Sequence, residues 1–130
     1  MSPAVASTKK KILIVEDDKY LAKALALKFK TSGFDPTPCY GGQEAIDCLN
    51  KDTYDIVLLD ILMPGKDGFS VLTEKKGTPN ATTPVHVLTA LGQEDILDRA
   101  KELGARECYV KSKVPISDVV ENVKREVGLS

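Results

Sequence analysis

The sequence predicts an α/β protein, a five-stranded parallel sheet with helices on both faces. Three observations predict it. Short runs of consecutive apolar residues alternate with segments whose apolar positions recur at helical spacing. The strongest runs, Ile12-Leu13-Ile14-Val15 and Ile56-Val57-Leu58-Leu59, are apolar on both faces, as strands between two helical layers must be. Both runs then break into acid, Glu16-Asp17-Asp18 after the first and Asp60 after the second.

The elements follow in order. Lys11–Val15 reads as a strand. Leu21, Ala24, Leu25 and Phe29 repeat at helical spacing, and Gly33 supplies a stop. Phe34–Cys39 is a strand that Pro36 and Pro38 confine to or near a sheet edge. Ala45, Cys48 and Leu49 mark a second helix, and Ile56–Leu59 a third strand. A short third helix runs over Gly68–Lys76, and Gly77–Thr83 is a loop of turn formers closed by Pro84. Val85–Thr89 is the fourth strand, and Ile96, Ala100 and Leu103 define a helix ended by Gly104. Glu107–Val110 is the fifth strand. Val119, Val120, Val123 and Val127 define the last helix, with Ser117 or Asp118 as its N-cap.

Composition bounds the function. The 130 residues suit one domain with a real core, and 42% hydrophobic with 28% charged residues is ordinary for a soluble protein. A net charge of −1 gives no global field for nucleic acid or membrane, and Lys9-Lys10-Lys11 reads as a solvated flank. Cys39, Cys48 and Cys108 are dispersed, with one histidine, His86, so no zinc site assembles. Such cysteines suit a reducing cytosol, so a cytoplasmic location is expected. No apolar stretch approaches membrane-spanning length. Residues 1–9 read as a disordered lead-in and 10–128 as the domain.

In parallel sheets function gathers at the carboxyl ends of the strands. There the sequence places Glu16, Asp17 and Asp18, then Asp60, Thr89 and Lys111. Clustered carboxylates repel unless a cation joins them, and oxygen donors that leave room for water suit Mg²⁺. Asp60, already ionised, can attack phosphorus without a general base. The Lys111 ammonium and the Thr89 hydroxyl can stabilise the transferring phosphoryl oxygens. His86 is offset from the Thr89 face by strand alternation and reads as structural. Asn80-Ala81-Thr82 matches a glycosylation acceptor by accident in that setting.

The series Ile-Leu-Ile-Val-Glu-Asp-Asp, Leu-Leu-Asp60-Ile-Leu-Met-Pro-Gly-Lys-Asp-Gly, Val-Leu-Thr89-Ala and Lys111 resembles the receiver domain of two-component response regulators, from about Lys10 to Val127. The resemblance implies the flavodoxin-like strand order 2-1-3-4-5, for which a chemotaxis regulator of this family is a standard example. It implies that Asp60 accepts phosphate from a sensor histidine kinase or a phosphotransfer protein and that the surface then switches to regulate an output protein or domain. It also implies Mg²⁺ held by Asp17, by Glu16 largely through water, by Asp60 and by the Leu62 carbonyl, with Asp18 capping the first helix. Such a chain is an enzyme only toward its own phosphorylation and dephosphorylation. It needs no direct contact with nucleic acid or membrane.

Two positions depart from the family. Cys108 stands three before the lysine, where an aromatic is usual, and the neighbouring Tyr109 points to the opposite face. Ser112 replaces the proline after the lysine, so the Lys111–Ser112 bond is expected either trans with a reshaped loop, or cis at a cost of ~2.5–4 kcal/mol. Other readings fare worse. An aspartyl phosphohydrolase needs an acid two residues past its nucleophile, where Leu62 stands. A flavin carrier needs a phosphate loop where this chain carries acids. A degenerate receiver that only docks is the alternative, and the intact acid set, Thr89 and Lys111 argue against it. Only Gly128-Leu129-Ser130 follow the last helix, which fits a stand-alone domain or a piece of a longer chain.

Overall fold

The structure, a computed structural model, describes residues 9–129. The expected lead-in over residues 1–9 lies outside them, Lys9 apart. Five strands alternate with five helices: β1 Lys10–Val15, α1 Lys19–Thr31, β2 Phe34–Cys39, α2 Gly42–Lys51, β3 Ile56–Leu59, α3 Gly68–Lys75, β4 Val85–Thr89, α4 Glu94–Glu102, β5 Glu107–Val110 and α5 Ile116–Glu126. All neighbouring strands are parallel, in the order β2-β1-β3-β4-β5. The chain order reverses at β1, between β2 and β3.

Strand alternation divides the core in two. Leu13, Val15, Val57, Leu59, Val85 and Val87 face one way, under Ala45, Ile46 and Leu49 of α2, Val71 and Leu72 of α3, and Ala100 of α4. Ile12, Ile14, Ile56, Leu58 and Leu88 face the other way, under Leu25 and Phe29 of α1 and Val119, Val120 and Val123 of α5. Fully burying one such side chain stabilises the fold by roughly 1.5–3 kcal/mol, and the buried stretches Ile12–Val15 of β1 and Ile56–Leu59 of β3 are apolar throughout, with Lys10 and Lys11 at the less buried start of β1.

The prolines of β2 cost nothing at this edge. The Cys39 carbonyl accepts from Glu16 N–H at 3.0 Å. Cys39 therefore turns its main-chain groups toward β1, and Pro36 and Pro38, of the other parity, turn theirs outward where no ladder partner is lost. Asp18 caps α1, its Oδ1 accepting from Tyr20 and Leu21 N–H at 3.0 and 3.2 Å, as expected. The cap of α5 differs from expectation. Pro115, not Ser117 or Asp118, is the N-cap, and its carbonyl accepts from Asp118 and Val119 N–H. Its fixed φ sets the entry, and Asp118 falls in the first turn, where its charge suits the positive helix end.

Asn80 is not a surface acceptor but a buried clamp, 1% exposed. Its Oδ1 accepts from Tyr54 N–H at 2.8 Å, and its Nδ2 donates to the Leu49 and Asp52 carbonyls, each at 2.7 Å. Thr83 Oγ1 adds a bond to Oδ1 at 3.1 Å. The side chain ties the turn before β3 to the turn before β4, and every one of its polar atoms is used.

Candidate functional site

The register assembles the site. Val15 pairs with Cys39 on one side and Leu59 on the other, so the next residues, Glu16 and Asp60, emerge side by side where the order reverses. Asp60 N–H donates to the Val15 carbonyl at 3.0 Å, which fixes the start of its side chain. Carboxylate oxygens of Glu16, Asp17 and Asp60 lie within 4.8 Å of one another, and Glu16 and Asp60 are buried, at 3% and 5% exposed.

Lys111 arrives from β5. Val110 pairs with Thr89, and the chain then turns, with Lys113 and Val114 N–H both donating to the Val110 carbonyl. Every peptide bond among the described residues is trans, Lys111–Ser112 included. From that turn the ammonium donates to Glu16 Oε1 at 2.7 Å and to Asp60 Oδ2 at 3.2 Å. Burial raises the pKa of Glu16, and the nearby Asp60 charge adds to it, against the lowering effect of the Lys111 and Asp18 N–H hydrogen bonds. For Lys111 burial works against the charge, but the hydrogen bond to Glu16 and the Asp60 and Glu16 charges outweigh it and leave its pKa raised. A charge so held stays on at neutral pH.

The loop after β3 closes on the nucleophile. Leu62 N–H donates to Asp60 Oδ1 at 3.3 Å, and the Leu62 side chain projects outward. Gly65 turns the chain at φ +75°, a conformation that favours glycine. Asp67 then caps α3 through Ser70 N–H. At Gly68 a Cβ would meet the Asp60 carbonyl oxygen at 2.5 Å and Ile61 Cα at 2.7 Å, so α3 begins against the Asp60 main chain only because no side chain intervenes. The main chain at Asp60 thus has little room to move.

A cavity of about 540 Å³ opens over these groups, lined by Glu16, Asp17, Asp18, Asp60, Leu62, Met63, Pro64, Ala90 and Lys111. Five of the six expected residues border it. Thr89 does not: it is fully buried, its Oγ1 accepts from Leu91 N–H at 3.2 Å, and its carbonyl takes Lys111 N–H. Ala90, to which the sequence assigned no role, lines the cavity in its place. The signal available was its small size beside Thr89.

The donors fit a hard divalent cation. Three carboxylates face one ammonium, a surplus of two negative charges. Oxygen donors of this kind, open on one side, are what Mg²⁺ takes.

The expectations for Cys108 and Tyr109 are met. Cys108 packs with the face of α2, α3 and α4, while Tyr109 is buried on the other with Leu88 and the valines of α5. His86 lies on the Tyr109 side. Its Nδ1 is 2.8 Å from the Tyr109 hydroxyl and its Nε2 3.0 Å from Glu126 Oε1. Both ring nitrogens are occupied, as a structural histidine requires.

The response regulator receiver domain model matches residues 12–124 of this chain. The receiver domain of a signal transduction histidine kinase from Syntrophus aciditrophicus is 31% identical, with a TM-score of 0.81 over 92% of this chain and 90% of that one. A Francisella response regulator receiver domain is 29% identical, with a TM-score of 0.85 over 92% of this chain and 98% of that one. The receiver domain of a sensor histidine kinase from Pseudomonas aeruginosa, solved with magnesium coordinated in its active-site cleft, shares the fold at 22% identity, with a TM-score of 0.79 over 93% of this chain and 99% of that one. Among the described residues no helix is long and apolar enough to cross a membrane.

Proposed function

The chain belongs to the response regulator receiver domain family of two-component systems, and from that premise we propose that Asp60 is its phosphoacceptor, charged by a sensor histidine kinase or a phosphotransfer protein in a Mg²⁺-dependent reaction. The observation that carries this is the convergence of Glu16, Asp17 and Asp60 with the Lys111 ammonium at one strand-end cavity. The acceptor domain is residues 10–128, and it works in the cytoplasm.

An Asp60 carboxylate oxygen forms the new bond to phosphorus as the P–N bond to the donor imidazole breaks. The imidazole nitrogen keeps the bonding pair, and the carboxylate needs no base because it is already ionised. Main-chain bonds on both sides of Asp60 hold that oxygen toward the cavity. Bound Mg²⁺ would supply positive charge to the phosphoryl oxygens, and Asp17, Asp60, the Leu62 carbonyl and Glu16, the last largely through water, would hold it. Lys111 releases Asp60 and turns its ammonium to a phosphoryl oxygen. Thr89 must exchange its bond to Leu91 N–H for one to the phosphoryl group, a rotation that shifts the start of the segment joining β4 to α4. This is the step that reaches the surface read by the output partner.

Incubation with acetyl phosphate and Mg²⁺, followed by mass spectrometry, should give one labile adduct on Asp60. Full labelling of the Asp60→Asn protein would reject the assignment, and absence of labelling in the unmodified chain would favour a docking module that ignores phosphate.

A further inference from the structure

At the other end of the strands, away from the acids, lies a second cavity, of about 210 Å³. The C-terminal end of α3, the chain entering β4 and the turn after α4 enclose it. Lys75, the last residue of α3, lines this space and is only 6% exposed. Its ammonium donates to one acceptor, the Ala81 carbonyl at 3.2 Å. Among the described residues it makes no ion pair. An ammonium carries three donors, and buried charges are paired in nearly all folds. Burial, helped by the Lys76 charge, pulls the Lys75 pKa down, the mark of a cation without a counter-ion.

The walls are of one sign. Lys76 and Arg106 also line the cavity, and no aspartate or glutamate does. Arg106 is engaged by Glu126 at 3.1 Å, which leaves two uncompensated cations. The carbonyl ends of α3 and α4 oppose them with at most about half an elementary charge each. The balance stays positive by roughly one charge. Thr82 adds a hydroxyl with no protein partner among the described residues.

We propose that this cavity binds a small oxyanion, with Lys75 as the fixed charge and Lys76 and the Thr82 hydroxyl closing over it. The volume is below the range of about 300–1,000 Å³ that holds drug-sized ligands, so the ligand is of the size of inorganic phosphate or a short carboxylate. It is separate from the phosphoryl chemistry, because none of its lining residues borders the acid cavity.

The test is a titration of the full chain followed by backbone amide NMR, with phosphate, acetate and chloride at matched ionic strength. Saturable movement of the amides of Thr82, Thr83, Val85 and residues 103–106 is expected with phosphate or acetate and not with chloride, and whichever saturates assigns the ligand. The same movement is expected in Asp60→Asn, which separates this site from any phosphate effect at the acids. In Lys75→Met, which keeps the stem and removes the charge, binding should weaken by at least about tenfold. Amides that stay still, that follow chloride equally, or that respond unchanged in Lys75→Met overturn the proposal. The titration of the unmodified chain decides alone if Lys75→Met does not fold.

Discussion

Two buried polar clusters sit at opposite ends of the sheet and differ in one respect. Around Asn80 every donor and acceptor of the side chain has a neutral partner of good length. Around Asp60 three carboxylates crowd against a single ammonium, beside an open cavity. The saturated cluster has nothing left to offer a ligand, so its work is to hold two turns together. The unsaturated one is a standing cost to the fold and has unused capacity for a cation and a phosphoryl group. Burial alone does not separate function from structure, since both side chains are nearly inaccessible. The balance of partners does.

The sharpest way to break this contrast is to exchange the phenotypes. Asp60→Asn should abolish phosphorylation by acetyl phosphate, read by mass spectrometry, and leave the denaturant midpoint unchanged or raised, because one of the repelling charges is gone. A large fall in stability would show that Asp60 is structural after all. Asn80→Ala should do the reverse. It strands Tyr54 N–H and the Leu49 and Asp52 carbonyls, and should cost about 4 kcal/mol in urea unfolding, while folded protein still labels on Asp60. Loss of labelling in folded Asn80→Ala would mean that the two ends are coupled.

Alkaline pH probes the saturated end. Tyr54, beside Asn80, has its pKa pushed up to about 12, mainly by burial, from 10.0. The folded state thus holds the phenol proton more tightly than the unfolded chain. That contribution, roughly 2–3 kcal/mol, is complete below the unfolded value and should disappear as pH climbs from 10.0 to about 12. Stability should fall over that window, with a smaller fall in Tyr54→Phe, which has no phenol to ionise. Equal slopes in the two proteins would contradict the assignment. The smallest effect tests the unsaturated end. Free Mg²⁺ at ten times its dissociation constant should stabilise the chain by about 1.4 kcal/mol, seen as a higher melting temperature. Asp17→Ala should remove that gain, whereas a gain kept in Asp17→Ala would place the ion elsewhere.

The fold was legible in the sequence because apolar runs and helical repeats are local signals. All five strands fall where the pattern placed them, the edge position of β2 followed from Pro36 and Pro38, and the acids at the ends of β1 and β3 marked the working end. The N-cap of α5 was not, because Ser117 and Asp118 are both good caps and only the chain path chose Pro115. Nor was the buried work of Asn80, since its partners Leu49, Asp52 and Tyr54 lie at least 26 residues away in sequence and offer main-chain groups that no side-chain pattern reveals. Sequence by itself thus determined which groups exist and which strand ends carry them, through periodicity. Only the tertiary structure decided their pairing: that Lys111 spans Glu16 and Asp60, that the Thr89 hydroxyl faces its own loop, and that Lys75 is left without a counter-charge. Periodicity is written residue by residue, whereas partner balance depends on distances between groups that meet only when the chain is packed.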